Sequence, residues 1–229
     1  MAEELKLPLQ FIGRQAELQM MVEGSTDVDL LRSLQAIQHN ADITVQVLDS
    51  YLLSLRLSLQ PSLRLNLEPV SVSAVLYEAA EQLRSTARQY GVELDLHIQG
   101  RYEPVMAHRQ ALQSALVMLG YALIEALPAS GVSGEQRRVR LATHRTREGI
   151  VAGLYGQFED LTQQQLQRGR QLLGVARQPL VGSLPGSGAG VFVADALLGA
   201  MESRLRVGRF QHLPGFAVTL PASEQLQLI

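Results

Sequence analysis

The chain has 229 residues, of which 46% are apolar, and its formal charge at pH 7 is -2. This length suits one large domain or two modest ones, and the near-neutral charge gives no reason to expect a nucleic-acid or anionic-membrane surface. Cysteine is absent, which excludes disulfides, thiolate nucleophiles and cysteine-based zinc sites and fits a reducing compartment.

The N-terminus lacks a basic start followed by an apolar segment, so it does not read as a signal peptide. The longest apolar run, Ala115 to Leu127, is interrupted by Glu125 and is too short to span a bilayer. We therefore expect a cytoplasmic protein that does not insert into a membrane.

The first domain is expected over residues 1–60, as two helices around the breaker GSTD at residues 24–27. Its second helix has apolar residues at alternating spacings of three and four, a heptad seam in which only Gln38 is polar. The seam consists of Leu31, Leu34, Ala41, Val45, Leu48, Leu52 and Leu55, and the first helix repeats the rhythm with Leu5, Leu9, Ile12, Ala16 and Met20. A lone hairpin cannot bury such a stripe on both flanks, so we expect a homodimeric four-helix bundle, or else packing of the hairpin on the rest of its own chain.

The second domain is expected over residues 61–229, with helices and strands mixed without regular alternation. The first expected elements are a strand at 62–67 stopped by Glu68 and Pro69, a helix from Ser71 or Ser73 to about Tyr90, and a strand at 92–98. A helix from about His108 to Leu127 and strands near 139–144 and 150–156 are expected next. A helix or lid at 161–173 follows, and after residue 186 we expect a glycine-led helix, a short strand and a last strand. This order predicts an α+β domain, a mixed sheet covered by helices on one face, rather than a doubly wound fold.

The stretch GSGAG, with Gly186, Gly188 and Gly190, leads into an apolar helix. Glycines at a helix start let backbone amides approach a phosphate. A flexible loop turning into a buried helix explains the same residues without any ligand, so the stretch alone is a weak signal.

Several stretches in fixed order resemble the transmitter region of bacterial sensor histidine kinases, over nearly the whole chain. ELKLPLQFIGRQAEL is similar to the family's phosphoacceptor box and the helix after it, and AHRQALQSALVMLGYALIEALPAS is similar to its asparagine box. GSGAGVFVADALLGAMESRLRV with GFAVTLP is similar to the second glycine box and closing hairpin. The resemblance implies a dimerisation and phosphotransfer hairpin followed by an ATP-binding domain of the GHKL superfamily, an α/β sandwich.

The departures from that family remove groups which its chemistry requires. Glu3 stands at the position of the phosphoaccepting histidine, and Met118 and Ala122 stand where the family has the asparagines that hold Mg²⁺. Glu125 stands near the position of the family's usual basic residue. Only Gly156 of the first glycine box survives in LYGQF, Leu154 to Phe158, where the bulk of Tyr155 and Phe158 indicates a filled pocket. No catalytic residue, no metal site and no ATP cofactor are expected.

The resemblance therefore predicts a catalytically inactive, kinase-like homodimer of two-component signalling that acts by binding a response regulator or a partner kinase. Its dimer and partner contacts are expected on the hairpin at Leu5, Leu9, Ile12, Val45, Leu48, Leu52 and Leu55.

Two alternatives stay open. His39, the only histidine of the hairpin, would accept a phosphoryl group if the chain were a phosphotransferase with a dead ATP-binding domain; a solvated helix residue is the simpler interpretation. The glycines of GSGAG would instead serve a weak nucleotide-responsive switch.

Overall fold

A computed structural model describes residues 9–10, 12–19, 28–59, 65–98, 100–127, 137–158, 161–170 and 189–222. The helices are α1 (Val28–Leu59), α2 (Val72–Gln89), α3 (Arg109–Ala126), α4 (Gln163–Arg170) and α5 (Ala189–Gly199). The strands are β1 (Glu68–Val70), β2 (Glu93–Ile98), β3 (Val105–Ala107), β4 (Arg138–Thr146), β5 (Gly149–Gly156), β6 (Leu205–Phe210) and β7 (Leu213–Leu220). The chain divides into two compact units, Met1–Arg56 and Leu57–Ile229.

The first unit contains a helical segment at residues 12–19 and most of α1. The two pack through small residues: a Cβ atom added to Gly13 would lie 3.5 Å from the Cβ atom of Ala41. Ala16 and Ala41 are both buried. Small side chains at the contact let the two helices approach each other closely. The helical hairpin predicted from the sequence is thus confirmed in its described part.

The second unit is built on a five-stranded mixed sheet in the order β2, β4, β5, β7, β6. Strands β2 and β4 are parallel, and the other neighbours are antiparallel. Helix α3 packs against α2, α5, β4 and β5. Strands β1 and β3 form a separate antiparallel pair. This architecture confirms the α+β prediction.

Side chains alternate between the two faces of the sheet. Leu141 and Leu154 are opposite each other in register and fully buried on the side that the helices cover. Arg140 and Tyr155, one position away on each strand, are opposite each other on the outer face. The core of the unit therefore lies between the sheet and α2, α3 and α5.

The ends of α2 and α3 have local causes. The Ser71 hydroxyl oxygen accepts a hydrogen bond from the Ala74 backbone N–H at 3.4 Å, and Gly91 follows the helix with a φ of +64°, a conformation that glycine adopts without strain. His108 caps α3, its Nδ1 accepting from the Ala111 backbone N–H at 3.2 Å. These boundaries match the sequence-based prediction.

The prediction of a strand at 62–67 is wrong for residues 65–67, which are not in a strand, while residues 62–64 lie outside the described residues. Glu68 and Pro69, expected to end that strand, instead belong to β1, which pairs with the unpredicted β3. Among the described strands β1 pairs only with β3, and such an edge strand tolerates a proline that cannot donate a hydrogen bond. None of the helices in the described ranges is long and apolar enough to cross a bilayer.

Candidate functional site

The candidate site lies where the first turn of α5 meets α3. A Cβ atom added to Gly190 would lie 2.6 Å from the carbonyl oxygen of Met118 and 3.3 Å from the Cβ atom of Ala122. Met118 and Ala122 are 2% and 7% exposed. The structure thus brings three of the residues singled out from the sequence into one contact, whereas Gly186 and Gly188 lie outside the described residues.

Gly190 meets the backbone of Met118 and the methyl group of Ala122. The side chains at these two positions are a thioether and a methyl group, and neither supplies the hard oxygen ligand that Mg²⁺ requires. No set of three or more His, Asp or Glu side chains in the described ranges is placed to share a metal ion.

Phe158 covers the remnant of the first glycine box at the end of β5. A Cβ atom on Gly156 would lie 2.7 Å from the Phe158 ring, and the Phe158 backbone N–H donates to the Gly156 carbonyl oxygen at 3.1 Å. Gly156 shares the helix-covered face with Leu154, and Phe158 is 4% exposed. An aromatic ring therefore fills the space beside this glycine.

Tyr155 does not take part in that filling, contrary to the sequence-based prediction. Its side chain lies on the outer face of the sheet, in a buried cluster with Val151 and Phe210. Burial raises the pKa of its phenol to about 12, although the charge of Arg206 acts in the opposite direction. The prediction failed because alternation along β5 sends Tyr155 and Gly156 to opposite faces.

Helix α4 is held against the domain just after this region. Leu166 is fully buried, and the Gln163 side-chain oxygen accepts from the Val207 backbone N–H at 3.4 Å. The helix packs on α5 and β6. The described part of the stretch predicted as a helix or lid is thus a packed helix.

Glu125 lies near the end of α3, close enough to Tyr90 for its charge to contribute to raising the pKa of that phenol, after the larger effect of burial. Burial also raises the pKa of the Glu125 carboxyl group. Along the same helix, Tyr121 bonds to the Thr86 side chain, and burial raises the Tyr121 pKa to about 12. Sequence reasoning missed this polar contact because nothing in either helix pattern pairs a tyrosine with a threonine.

The hairpin residues predicted for dimer or partner contacts lie in unequal environments. Ile12 is 47% exposed, while Leu9, Val45, Leu48, Leu52 and Leu55 are half-buried. Leu30 and Ile37, which were not predicted, are also exposed. Glu3 and Leu5 lie outside the described residues, and for His39 only the helical backbone is described.

No protein-family model matches this sequence, and no curated protein matches it. Solved structures do match. Full-length ShkA in complex with AMPPNP superposes with a TM-score of 0.61 at 18% identity, over 97% of this chain and 45% of the ShkA chain. The histidine kinase AdeS of Acinetobacter baumannii superposes with a TM-score of 0.54 at 17% identity, over 98% of this chain and 100% of its own.

The chain has the fold of a histidine-kinase transmitter region. The catalytic domain of the histidine kinase ThkA matches 68% of the chain and 95% of its own length, with a TM-score of 0.51 and 9% identity. The histidine-kinase fold thus accounts for the order of elements that the sequence resemblance predicted. This chain spans a little under half of the ShkA chain that it matches.

Proposed function

We propose that this chain is a catalytically inactive, histidine-kinase-like protein of two-component signalling, which dimerises through its N-terminal hairpin and acts by binding a response regulator or a partner kinase. The observation that carries the proposal is the contact of Gly190 with Met118 and Ala122. Residues with apolar side chains stand at the metal-holding positions, and they meet the glycine-led helix through the Met118 backbone and the Ala122 methyl group.

A nucleoside triphosphate needs its charge compensated where it binds. In this fold family, Mg²⁺ held by asparagine oxygens supplies that compensation. The side chains of Met118 and Ala122 offer no such oxygen, and the carboxyl group of Glu125 stands near the position of the family's usual basic residue. These substitutions support the absence of a nucleotide cofactor and of phosphoryl transfer.

Packing supports the same proposal. Phe158 lies against Gly156, and Leu166 of α4 is fully buried. Both residues follow the strand end at which the family binds adenine. Apolar side chains packed to native density leave no room for a ligand unless they rearrange, and such rearrangement costs free energy.

The hairpin supports a homodimer. Among the residues of this unit that the structure describes, four large apolar side chains are at least 38% exposed: Ile12, Leu18, Leu30 and Ile37. Exposed apolar surface along a helical pair is covered in a four-helix bundle, where a second hairpin packs on the first. A surface shared by two hairpins is also where we place the contacts with a protein partner.

The decisive experiment is a calorimetric titration of ATP and of ADP, each with Mg²⁺, into the purified chain. We expect no heat of binding and no rise in melting temperature up to millimolar nucleotide, because a ligand that binds only the folded state must stabilise it. The ThkA catalytic domain, prepared in parallel, serves as a control with the same fold. Saturable binding at micromolar nucleotide would overturn the proposal and favour a nucleotide-responsive switch, for which the AMPPNP complex of ShkA is a precedent in this fold.

Binding to a protein partner is tested with the same preparation. Receiver domains of response regulators from the source organism are titrated into the chain, and we expect at least one to bind without ATP. Transfer of a phosphoryl group from a phosphorylated receiver domain to His39, lost in His39→Ala, would instead establish the phosphotransferase alternative.

A further inference from the structure

The turn between β6 and β7, residues 210–213, reaches back over the outer face of the sheet. Gln211 and His212 both have positive φ angles, +47° and +69°, which is the backbone of a tight two-residue hairpin turn. The Arg140 guanidinium donates to the Gln211 side-chain oxygen at 2.5 Å. Since β5 and β7 separate β4 from β6 in the sheet, this bond requires the turn to curl across the two intervening strands.

Phe210, the first residue of this turn, packs on the outer face of the sheet. The centroid of its ring lies 5.2 Å from that of His97, 5.4 Å from that of His144 and 5.5 Å from that of Tyr155. Phe210 is 9% exposed, and it forms a buried cluster with Ala142, Val151, Tyr155 and Ala217. The turn therefore closes an apolar patch that would otherwise face solvent.

Polar atoms are buried on the same face without partners. The Nε2 atom of His97, the Nδ1 atom of His144 and the Oγ1 atom of Thr219 have no hydrogen-bond partner within the described part of the chain. His144 and Thr219 both flank Val151 in the sheet register. A buried polar group without a partner destabilises the arrangement that buries it. The turn therefore covers polar atoms that would be more stable in contact with water.

The charges around His144 disfavour a proton there. Burial lowers the pKa of its imidazole, and the positive charge of Arg206 on β6 lowers it further. On β2, Asp95 is engaged by Arg140, with Nε and Oδ2 separated by 2.7 Å. The neighbouring groups from the other packed elements are His97 on β2, the Tyr155 phenol on β5 and the uncharged Thr219 on β7.

We propose that the β6–β7 turn is a proton-sensitive clasp on the outer face of the sheet, closed while the His144 imidazole is neutral and lifted when that imidazole takes up a proton. Lifting moves Phe210 off the sheet, hydrates the histidine nitrogens and exposes the apolar patch around Val151. The direction follows from linkage: an imidazole pKa below its ordinary value in the closed form favours closure fully above about pH 6.5. That contribution is lost as the pH falls toward the pKa of the closed form.

The test is backbone amide hydrogen exchange in the full chain at about pH 7.5 and about pH 5.5, on either side of the ordinary histidine pKa. Protection factors of β6 and the turn should fall at the lower pH, by up to tenfold for each unit that separates the histidine pKa values of the closed and lifted forms. Amides of α2 and α3 should keep their protection. Equal protection of β6 at both pH values would overturn the proposal.

Two variants separate His144 from other histidines. His144→Leu cannot be protonated and should keep the turn protected at the lower pH. His212→Asn removes an exposed histidine of the same turn and places there a residue that tolerates positive φ, so it should respond as the native chain does. If His144→Leu loses protection as the native chain does, the trigger is elsewhere.

A measurement on the native chain covers the case in which His144→Leu does not fold. The proton resonances of the His144 imidazole and the Phe210 ring are followed through the same pH range by NMR. The clasp requires the two to shift with one midpoint below about pH 6.5. Separate midpoints, or a Phe210 ring that does not respond, would contradict it.

Discussion

At the scale of single residues, Gly190 shows how one residue fits two explanations. Its place in GSGAG is that of a phosphate-binding glycine, which lets backbone amides approach an anion. The structure supplies another reason for glycine, because a Cβ atom there would lie 2.6 Å from the Met118 carbonyl oxygen. The packing of α5 on α3 is by itself a sufficient reason for glycine at position 190, whether or not a nucleotide binds.

Gly190→Ala should destabilise the second unit by about 1–3 kcal/mol, since the added methyl group meets backbone rather than a flexible side chain. Gly199→Ala is the matched control in the same helix, where an added Cβ atom meets nothing within 4 Å. We expect that control to change the free energy of unfolding by no more than about 0.5 kcal/mol. Urea denaturation of the two variants checks both values, and equal losses would contradict the packing explanation.

At the scale of elements, much of the fold could be predicted, because local signals agree with the tertiary structure. Ser71 and Gly91 mark the ends of α2 in the sequence and cap it in the structure. Strands β1 and β3 have three residues each, too few to show an alternating pattern. The contact of Phe210 with His97 joins strands at opposite edges of the sheet, and no local pattern encodes it.

The candidate site was predictable to a similar extent. The family resemblance singled out Met118, Ala122 and the glycine-led helix, and the structure sets Gly190 against both residues. The face occupied by Tyr155 was not predictable, since it depends on the register of β5, and a shift of one residue reverses it. The sequence therefore predicted which residues belong to the site better than it predicted which face of the sheet each side chain occupies.

Ser71→Ala should destabilise the second unit by about 1 kcal/mol, the usual cost of removing an N-terminal cap. Ser73→Ala is the control, because the sequence left Ser73 as a competing cap and the structure places it inside α2. The free energy of unfolding, again from urea denaturation, should fall more for Ser71→Ala. A larger effect at Ser73 would mean that the helix begins later.

At the scale of the whole molecule, the chain combines a helical hairpin unit with an α+β unit, and the AdeS structure matches it over nearly its full length. Only the hairpin unit exposes several large apolar side chains among the residues that the structure describes. Tyr77 is the exposed example in the second unit. Association of two copies is therefore expected through the hairpin.

Ile37→Asp should shift the chain from dimer to monomer, because a carboxylate in an apolar interface loses hydration without gaining a partner. Ala36→Asp places the same charge one residue away, on an exposed position opposite the heptad seam, and should remain dimeric. Sedimentation equilibrium over a range of concentrations measures both dissociation constants. If the native chain is monomeric, or if both variants dissociate equally, the proposed interface is wrong.

The two ion pairs along β2 bear on how the protein behaves at high concentration. Glu93 pairs with Arg138, and Asp95 with Arg140, beside an edge that no other described strand covers. A row of unpaired backbone groups is a template on which further chains polymerise, and charged side chains along it oppose such growth. Solubility of the concentrated protein thus depends partly on four charged residues of the second unit, and removing them would favour fibrils over dimers.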